Sequence, residues 1–153
     1  MSVRSRKSRR FPAPHTITRF KNTPLAFIDN GLIQVIEHQR AGLPFTVVGV
    51  ISRKLALSVN ELLSELGLSS RSVRARQAKG QNLSAVQAER LVRAARIFKR
   101  ATEVLEEEGD ARNWLGQPHR ALGGKSPLSF LDTDAGYHMI EDELTRIEYG
   151  IVA

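Results

Sequence analysis

Two short runs, Ser58-Val59-Asn60-Glu61 and Ser84-Ala85-Val86-Gln87, constrain this chain more than any other feature. In each, a serine stands three residues ahead of a Glu or Gln. The serine hydroxyl accepts from the backbone amide at the third helical position, and the longer side chain reaches back to the serine amide, so two otherwise orphaned donors are satisfied together. The first run starts a short helix with Leu62, Leu63 and Leu66 apolar and Gly67 as its terminator. Leu68 then packs into the corner, and Ser69 or Ser70 caps a further helix running to Gly80. The second run starts a long helix whose apolar stripe is Leu91, Ala94, Ala95, Phe98, Thr102 and Leu105. Its opposite face carries Arg90, Arg93, Arg100 and Glu107, and Gly109 is the expected stop.

Helical periodicity continues on both sides. Upstream, Leu25, Ile28, Leu32, Val35 and Ile36 recur at helical spacing until Gly42 and Pro44 close the segment. Residues 45 to 57 include a β-branched run with strand propensity. Even so, Pro44 suits the first helical position and Val47, Val48, Ile51 and Leu55 share one face, which favours a helix. Downstream, Ala111, Trp114 and Leu115 predict a short helix ending at Gly116, and Gln117-Pro118 opens a turn region. There Gly123 and Gly124 permit positive backbone dihedrals and Ser126-Pro127 caps a turn. Asp134 begins a last helix with the stripe Tyr137, Ile140, Leu144 and Ile147. The fold class expected is all-α.

The charge is divided along the chain. Residues 1 to 24 hold seven Lys/Arg and no acid, residues 25 to 102 twelve basic and five acidic residues, and residues 103 to 153 four basic and eleven acidic. Two segments of net +7 thus precede one of −7, which predicts a polyanion partner at the front and a different partner at the back. The front arm, rich in Arg, Lys, Ser and Pro, has no apolar pattern and is expected to be disordered when free. Its Arg4, Arg6, Lys7, Arg9 and Arg10 suit a phosphate backbone or a minor groove, or form a solvated tail. No run of about eighteen apolar residues spans a membrane, no signal-peptide core follows the basic start, and there is no cysteine. A cytoplasmic location without disulfides or thiolate chemistry is expected.

Two short helices joined by a glycine turn, the second bearing Arg71, Arg74, Arg76 and Lys79, read as a helix-turn-helix. Ser70, Arg71, Arg74 and Gln77 stand where a recognition helix meets base edges, and Ser69 and Lys79 where it meets phosphates. Two positions depart from the usual pattern. Leu63, four residues before the turn glycine, is large, and Arg76 stands where an apolar residue is usual. A plain helical hairpin with a solvated basic face is the competing reading.

Catalytic patterns are weak. Gly124-Lys125-Ser126 ends like a phosphate-binding loop, but the first glycine of that pattern would fall at His119, Pro127 follows directly and no strand precedes it. His138 and Glu141 supply two ligands from one helix, while His15, His38 and His119 are scattered. No nucleophile elbow is present, so no enzyme activity, metal or cofactor is expected.

The final run, Leu144-Thr145-Arg146-Ile147-Glu148-Tyr149-Gly150-Ile151-Val152-Ala153, is a helix end broken by a glycine with an apolar tripeptide beyond it. Such a tail gains little by staying in water, so it either folds back onto its own core or plugs a partner. Its sequence, with Ala111-Arg112-Asn113-Trp114-Leu115, Pro118, Ala121-Leu122-Gly123-Gly124, Pro127-Leu128, Leu131-Asp132-Thr133 and Gly136, resembles the antitoxins of the RES-Xre toxin-antitoxin modules, the Xre/MbcA/ParS family. The resemblance spans about residues 100 to 153, and the upstream helix-turn-helix resembles the family's N-terminal domain less specifically. It does not cover the basic arm of residues 1 to 24, and it implies a helix-turn-helix domain over 25 to 100, joined by a long helix to a small helical toxin-binding domain over 101 to 153.

The resemblance further implies a non-enzymatic protein whose partner is a RES-domain toxin that degrades NAD. The toxin's cleft would be blocked by Arg146, Ile147, Glu148, Tyr149, Gly150, Ile151, Val152 and Ala153. Glu148 and the terminal carboxylate would complement a cationic dinucleotide cleft, and Tyr149 would serve as a rigid anchor. Trp114, Leu122, Gly123, Gly124 and Pro127 are expected to shape the domain. Operator DNA would be bound by the helix-turn-helix, as a homodimer within a larger complex. A stand-alone regulator whose C-terminal half only dimerises is the alternative.

Overall fold

The computed structural model describes residues 32–151, and the basic arm, Val152 and Ala153 lie outside this range. Seven α-helices occur among the described residues: α1 (Leu32–Ala41), α2 (Thr46–Leu55), α3 (Val59–Glu65), α4 (Ser70–Ala78), α5 (Ala85–Leu105), α6 (Glu108–Gly116) and α7 (Asp134–Glu148). Two 3₁₀ turns, Arg120–Leu122 and Pro127–Phe130, lie between α6 and α7. No strand occurs among the described residues, in keeping with the all-α expectation.

Helix α5 is the spine. Helices α1 and α2 pack on it from the N-terminal side, α6 and α7 from the C-terminal side, and α3 reaches it through α2. One continuous apolar cluster runs from Leu43, Ile51, Leu62, Leu63 and Leu66 through Leu91 and Ile97 to Leu115, Leu131, Ile140 and Leu144. The core does not part between the helix-turn-helix and the C-terminal unit, because α5 contributes buried residues to both. Burial on this scale, at about 25 cal/mol per Å² of apolar surface removed from water, is what holds helices too short to persist alone.

Both capping boxes form. The Ser58 hydroxyl accepts from the Glu61 amide at 3.2 Å and the Ser58 amide donates to Glu61 Oε2 at 2.7 Å. Ser84 and Gln87 repeat the pattern at 3.2 and 2.9 Å. The backbone and side-chain hydrogen bonds from Ser58 hold the Glu61 carboxyl below its ordinary value. Residues 45 to 57 choose the helix, with Val47, Val48, Ile51 and Leu55 buried as one face. Phe45 is the N-cap there, which moves Pro44 just outside the helix.

Three expectations are corrected. Helix α5 ends at Leu105, with Glu106 at φ +68°, and Gly109 lies inside α6. A left-handed residue other than glycine has no reliable sequence mark, so the break is hidden in the sequence. Thr102 and Leu105 are only half-buried, whereas Ala88, Val92, Ile97 and Ala101 are buried. On α7, Tyr137, Ile140 and Leu144 are buried as expected, but Ile147 is 37% exposed.

The C-terminal unit depends on one close approach. A Cβ on Gly136 would stand 1.9 Å from the Phe130 carbonyl oxygen, so only glycine lets the first turn of α7 seat against the preceding 3₁₀ turn. The Thr133 hydroxyl caps the same turn, accepting from the Gly136 amide at 3.0 Å. Gly123 and Gly124 both take positive φ, and Pro127 starts its 3₁₀ turn after Ser126, whose side chain makes no cap bond.

Candidate functional site

Helices α3 and α4 with the intervening turn form a helix-turn-helix. Gly67 has φ +62°. Leu68 follows and packs on the core. Ser69 rather than Ser70 caps α4, accepting from the Ser72 amide at 3.2 Å. Only Val73 of α4 is buried. Arg71, Arg74 and Gln77 follow one another at one-turn spacing and are exposed, as is Lys79 just past the helix end, while Ser70 is half-buried. No acidic residue occurs in α4. Its solvent side therefore offers donors and positive charge to an anionic surface.

The departures from the usual pattern are accommodated by polar tethers and packing. Arg76 is half-buried and its Nε donates to the Asn82 carbonyl at 2.8 Å, tying α4 to the loop that follows it. Leu63 is fully buried in the common core. Arg74 Nη2 donates to Asn60 Oδ1 at 3.0 Å, linking α4 to α3.

Sequence reasoning missed what lies behind α4. Arg90 Nη1 donates to the Leu66 and Gly67 carbonyls at 3.1 and 2.9 Å, fastening the turn to α5. Gln87 Nε2 donates to Ser72 Oγ at 3.2 Å while its Oε1 completes the capping box. The arginine face of α5 is a seam and not a free surface. Arg93 reaches Glu89 at 2.6 Å and the Leu131 carbonyl at 3.5 Å. The Arg96 guanidinium lies 5.5 Å from the centre of the Tyr137 ring, and Arg100 binds Glu148. The even spacing of these arginines is the available signal, but on a helix such a row equally describes a solvated face.

The second exposed surface is the end of α7. Tyr149 is 72% exposed and Ile151 63%, beside the partly exposed Ile147. Their backbone is nonetheless fixed. The Gly150 amide donates to the Ile147 carbonyl at 3.1 Å and the Ile151 amide to the Arg146 carbonyl at 2.9 Å, a Schellman closure made possible by Gly150 at φ +65°. Arg146 is exposed and pairs with Glu143 at 3.3 Å. Glu148 is gripped by both terminal nitrogens of Arg100, the Nη1–Oε1 distance being 3.2 Å. The Arg100 hydrogen bond holds the Glu148 carboxyl below its ordinary value, and Arg100 is raised in return.

Elsewhere, the Gly124-Lys125-Ser126 loop borders an open hollow of about 470 Å³ lined also by Glu65, Ser129, Phe130 and Asp132. The two acids there oppose a phosphate, and Lys125 Nζ lies 6.0 Å from the centre of the Phe130 ring. His119 Nε2 donates to the Trp114 carbonyl at 2.7 Å, a closure of the C-terminal loop. His138 faces Asp134 and Glu141 at 3.6 and 3.4 Å. Glu141 also accepts from the Tyr137 hydroxyl at 2.6 Å, and burial together with that carboxylate raises the Tyr137 pKa. No helix among the described residues is long and apolar enough to cross a membrane.

Fold and surfaces define a class: a helix-turn-helix protein whose shared spine also carries a C-terminal unit with an ordered, exposed apolar end. Family comparison narrows the class. Residues 34–96 match the antitoxin Xre-like helix-turn-helix domain, and residues 100–150 match the antitoxin Xre/MbcA/ParS C-terminal toxin-binding domain. An antitoxin Xre of Photorhabdus laumondii is 31% identical over 113 residues, which cover 73% of this chain and 76% of the relative. One from Yersinia enterocolitica is 26% identical over 141 residues, covering 92% and 95%. A Prs ADP-ribosylating antitoxin of Sphingobium is 30% identical over 109 residues, covering 64% and 69%. The chain belongs to the Xre antitoxin family, with a helix-turn-helix domain followed by a toxin-binding domain.

Proposed function

We propose that this antitoxin neutralises a RES-domain, NAD-degrading toxin by inserting its C-terminal segment, Arg146 to Ala153, into the toxin's cleft, and that α4 binds operator DNA to repress its own operon. The carrying observation is the end of α7, where Ile147, Tyr149 and Ile151 are exposed on a hydrogen-bonded backbone. Exposed apolar side chains that cannot collapse inward are costly alone and gain by entering a concavity. The acidic balance of residues 103 to 153 suits an enzyme that must itself be cationic to hold a dinucleotide.

On the DNA side, Arg71, Arg74 and Gln77 are the residues assigned to base edges with Ser70, and Lys79 to phosphate. Ser69, its hydroxyl already used as a cap, contributes its helix start. The protein acts by occupation and not as an enzyme, in the cytoplasm, as a homodimer within the toxin complex.

Removing Glu148 to Ala153 tests the reading by co-expression with the toxin. Loss of protection with retained operator binding is expected. A truncated chain that still protects would exclude the plug.

A further inference from the structure

Resting on the reading of the C-terminal segment as the toxin-docking element, we infer that Arg100 and Glu148 form an internal fork that positions this segment, and that Glu148 acts through Arg100 without touching the toxin. Glu148 is the last residue of α7, and Arg100 lies on α5, five residues before that helix ends. The two terminal guanidinium nitrogens donate to one carboxylate oxygen each, Nη1 to Oε1 and Nη2 to Oε2, so the fork fixes direction as well as distance.

What the fork holds is otherwise poorly held. Leu144 is the last buried residue of α7, Ile147 is only partly covered, and Tyr149 and Ile151 stand in solvent. In a Schellman closure the residue after the glycine usually packs on an apolar residue five positions earlier; here those positions are Ile151 and Arg146, so that apolar pairing is missing. The last turn would therefore fray into solvent unless something beyond Leu144 tied it to the body, and among the described residues the Arg100–Glu148 fork is such a tie. A tail ordered before it meets its partner loses less conformational entropy on docking.

The test uses the full chain and its purified toxin. In the free protein, Arg100→Met and Glu148→Gln each speed hydrogen exchange at the Gly150 and Ile151 amides by about fivefold, the range of an exposed ion pair. Each weakens toxin affinity by a similar factor. The reversed pair, Arg100→Glu with Glu148→Arg, restores both protection and affinity. Unchanged exchange in the single variants overturns the inference. So does a reversed pair that regains amide protection yet still binds poorly, since Glu148 would then contact the toxin directly. Failure of the docking reading is distinguishable: Tyr149→Ala would leave toxin affinity unchanged, while the exchange comparison would still decide the fork.

Discussion

The outer side of α4 and the last turn of α7 are two ordered, exposed surfaces among the described residues, and they are built to opposite chemistry. Helix α4 presents cations and amides with a single buried side chain, Val73. The end of α7 presents an aromatic ring and two aliphatic side chains, with its carboxylate already paired. One suits a polyanion that is read through hydrogen bonds, the other an enclosed cleft. Their supports, in contrast, are alike. Arg90 fastens the turn before α4 and Arg100 fastens the end of α7, and both stand on α5. A helix that looks like a linker in sequence is thus the common mount for two differently specified surfaces.

That comparison can be broken at several places. The largest effect on stability is expected for Gly136→Ala, which forces a methyl group into the Phe130 carbonyl. Overpacking of this kind costs about 1–3 kcal/mol, and the backbone partner puts it at the upper end. Thermal melting should show a fall of several degrees, and because the core is continuous the destabilisation should lower both activities. A melting temperature equal to that of the unmodified chain would mean that α7 can shift away from Phe130.

Next, Arg71→Ala with Arg74→Ala should weaken operator binding by about 1–3 kcal/mol for each base edge that is no longer read. Where these side chains lie on phosphates instead, the salt dependence becomes shallower by about one unit of log–log slope for each. Titration at several salt concentrations separates the two. An unchanged affinity would move the DNA-binding surface off α4.

Arg90→Met sharpens the distinction between a residue that meets DNA and one that holds the reader. It removes two charge-assisted bonds to the turn, so operator affinity should fall by about 1–2 kcal/mol while the salt slope stays constant. A slope that also falls would make Arg90 a phosphate ligand. The smallest effect is that of pH on the α7 end. The Glu148 carboxyl sits below its ordinary value of 4.5, so its hold on Arg100 is complete above that value. It is lost as pH falls through the lowered value. Amide exchange at Ile151, corrected for its intrinsic pH dependence, should therefore gain protection between strongly acidic solution and about pH 6. A flat profile would show that the fork contributes nothing.

Much of the fold is legible in the sequence, and the reasons are local. Ser58 with Glu61 and Ser84 with Gln87 carry their own geometry, so the helix starts they define need no tertiary knowledge. The apolar face of α2 outweighs the β-branched run because Val47, Val48, Ile51 and Leu55 repeat at helical and not alternating spacing. The end of α5 is not legible, because Glu106 takes a left-handed conformation without glycine and Gly109, the apparent stop, is absorbed into α6.

The fate of charged side chains is equally hidden. Arg71 and Arg90 look the same in sequence, yet one is exposed and the other donates to two carbonyls across the fold. Periodicity extends the α7 stripe to Ile147, but Leu144 is the last buried residue of the helix, and Ile147, Tyr149 and Ile151 beyond it are partly or largely exposed. Val152 and Ala153, assigned to the same segment from the sequence, lie outside the described residues.

The central claim is that two separate surfaces on one frame serve two partners. It is tested most directly by measuring operator affinity and toxin affinity side by side for the Arg71→Ala/Arg74→Ala variant and for the chain lacking Glu148 to Ala153. The expected result is a crossed pattern, with the first variant losing operator binding and keeping toxin binding, and the second the reverse. A variant of unchanged melting temperature that loses both activities, or the wrong one, would contradict the account.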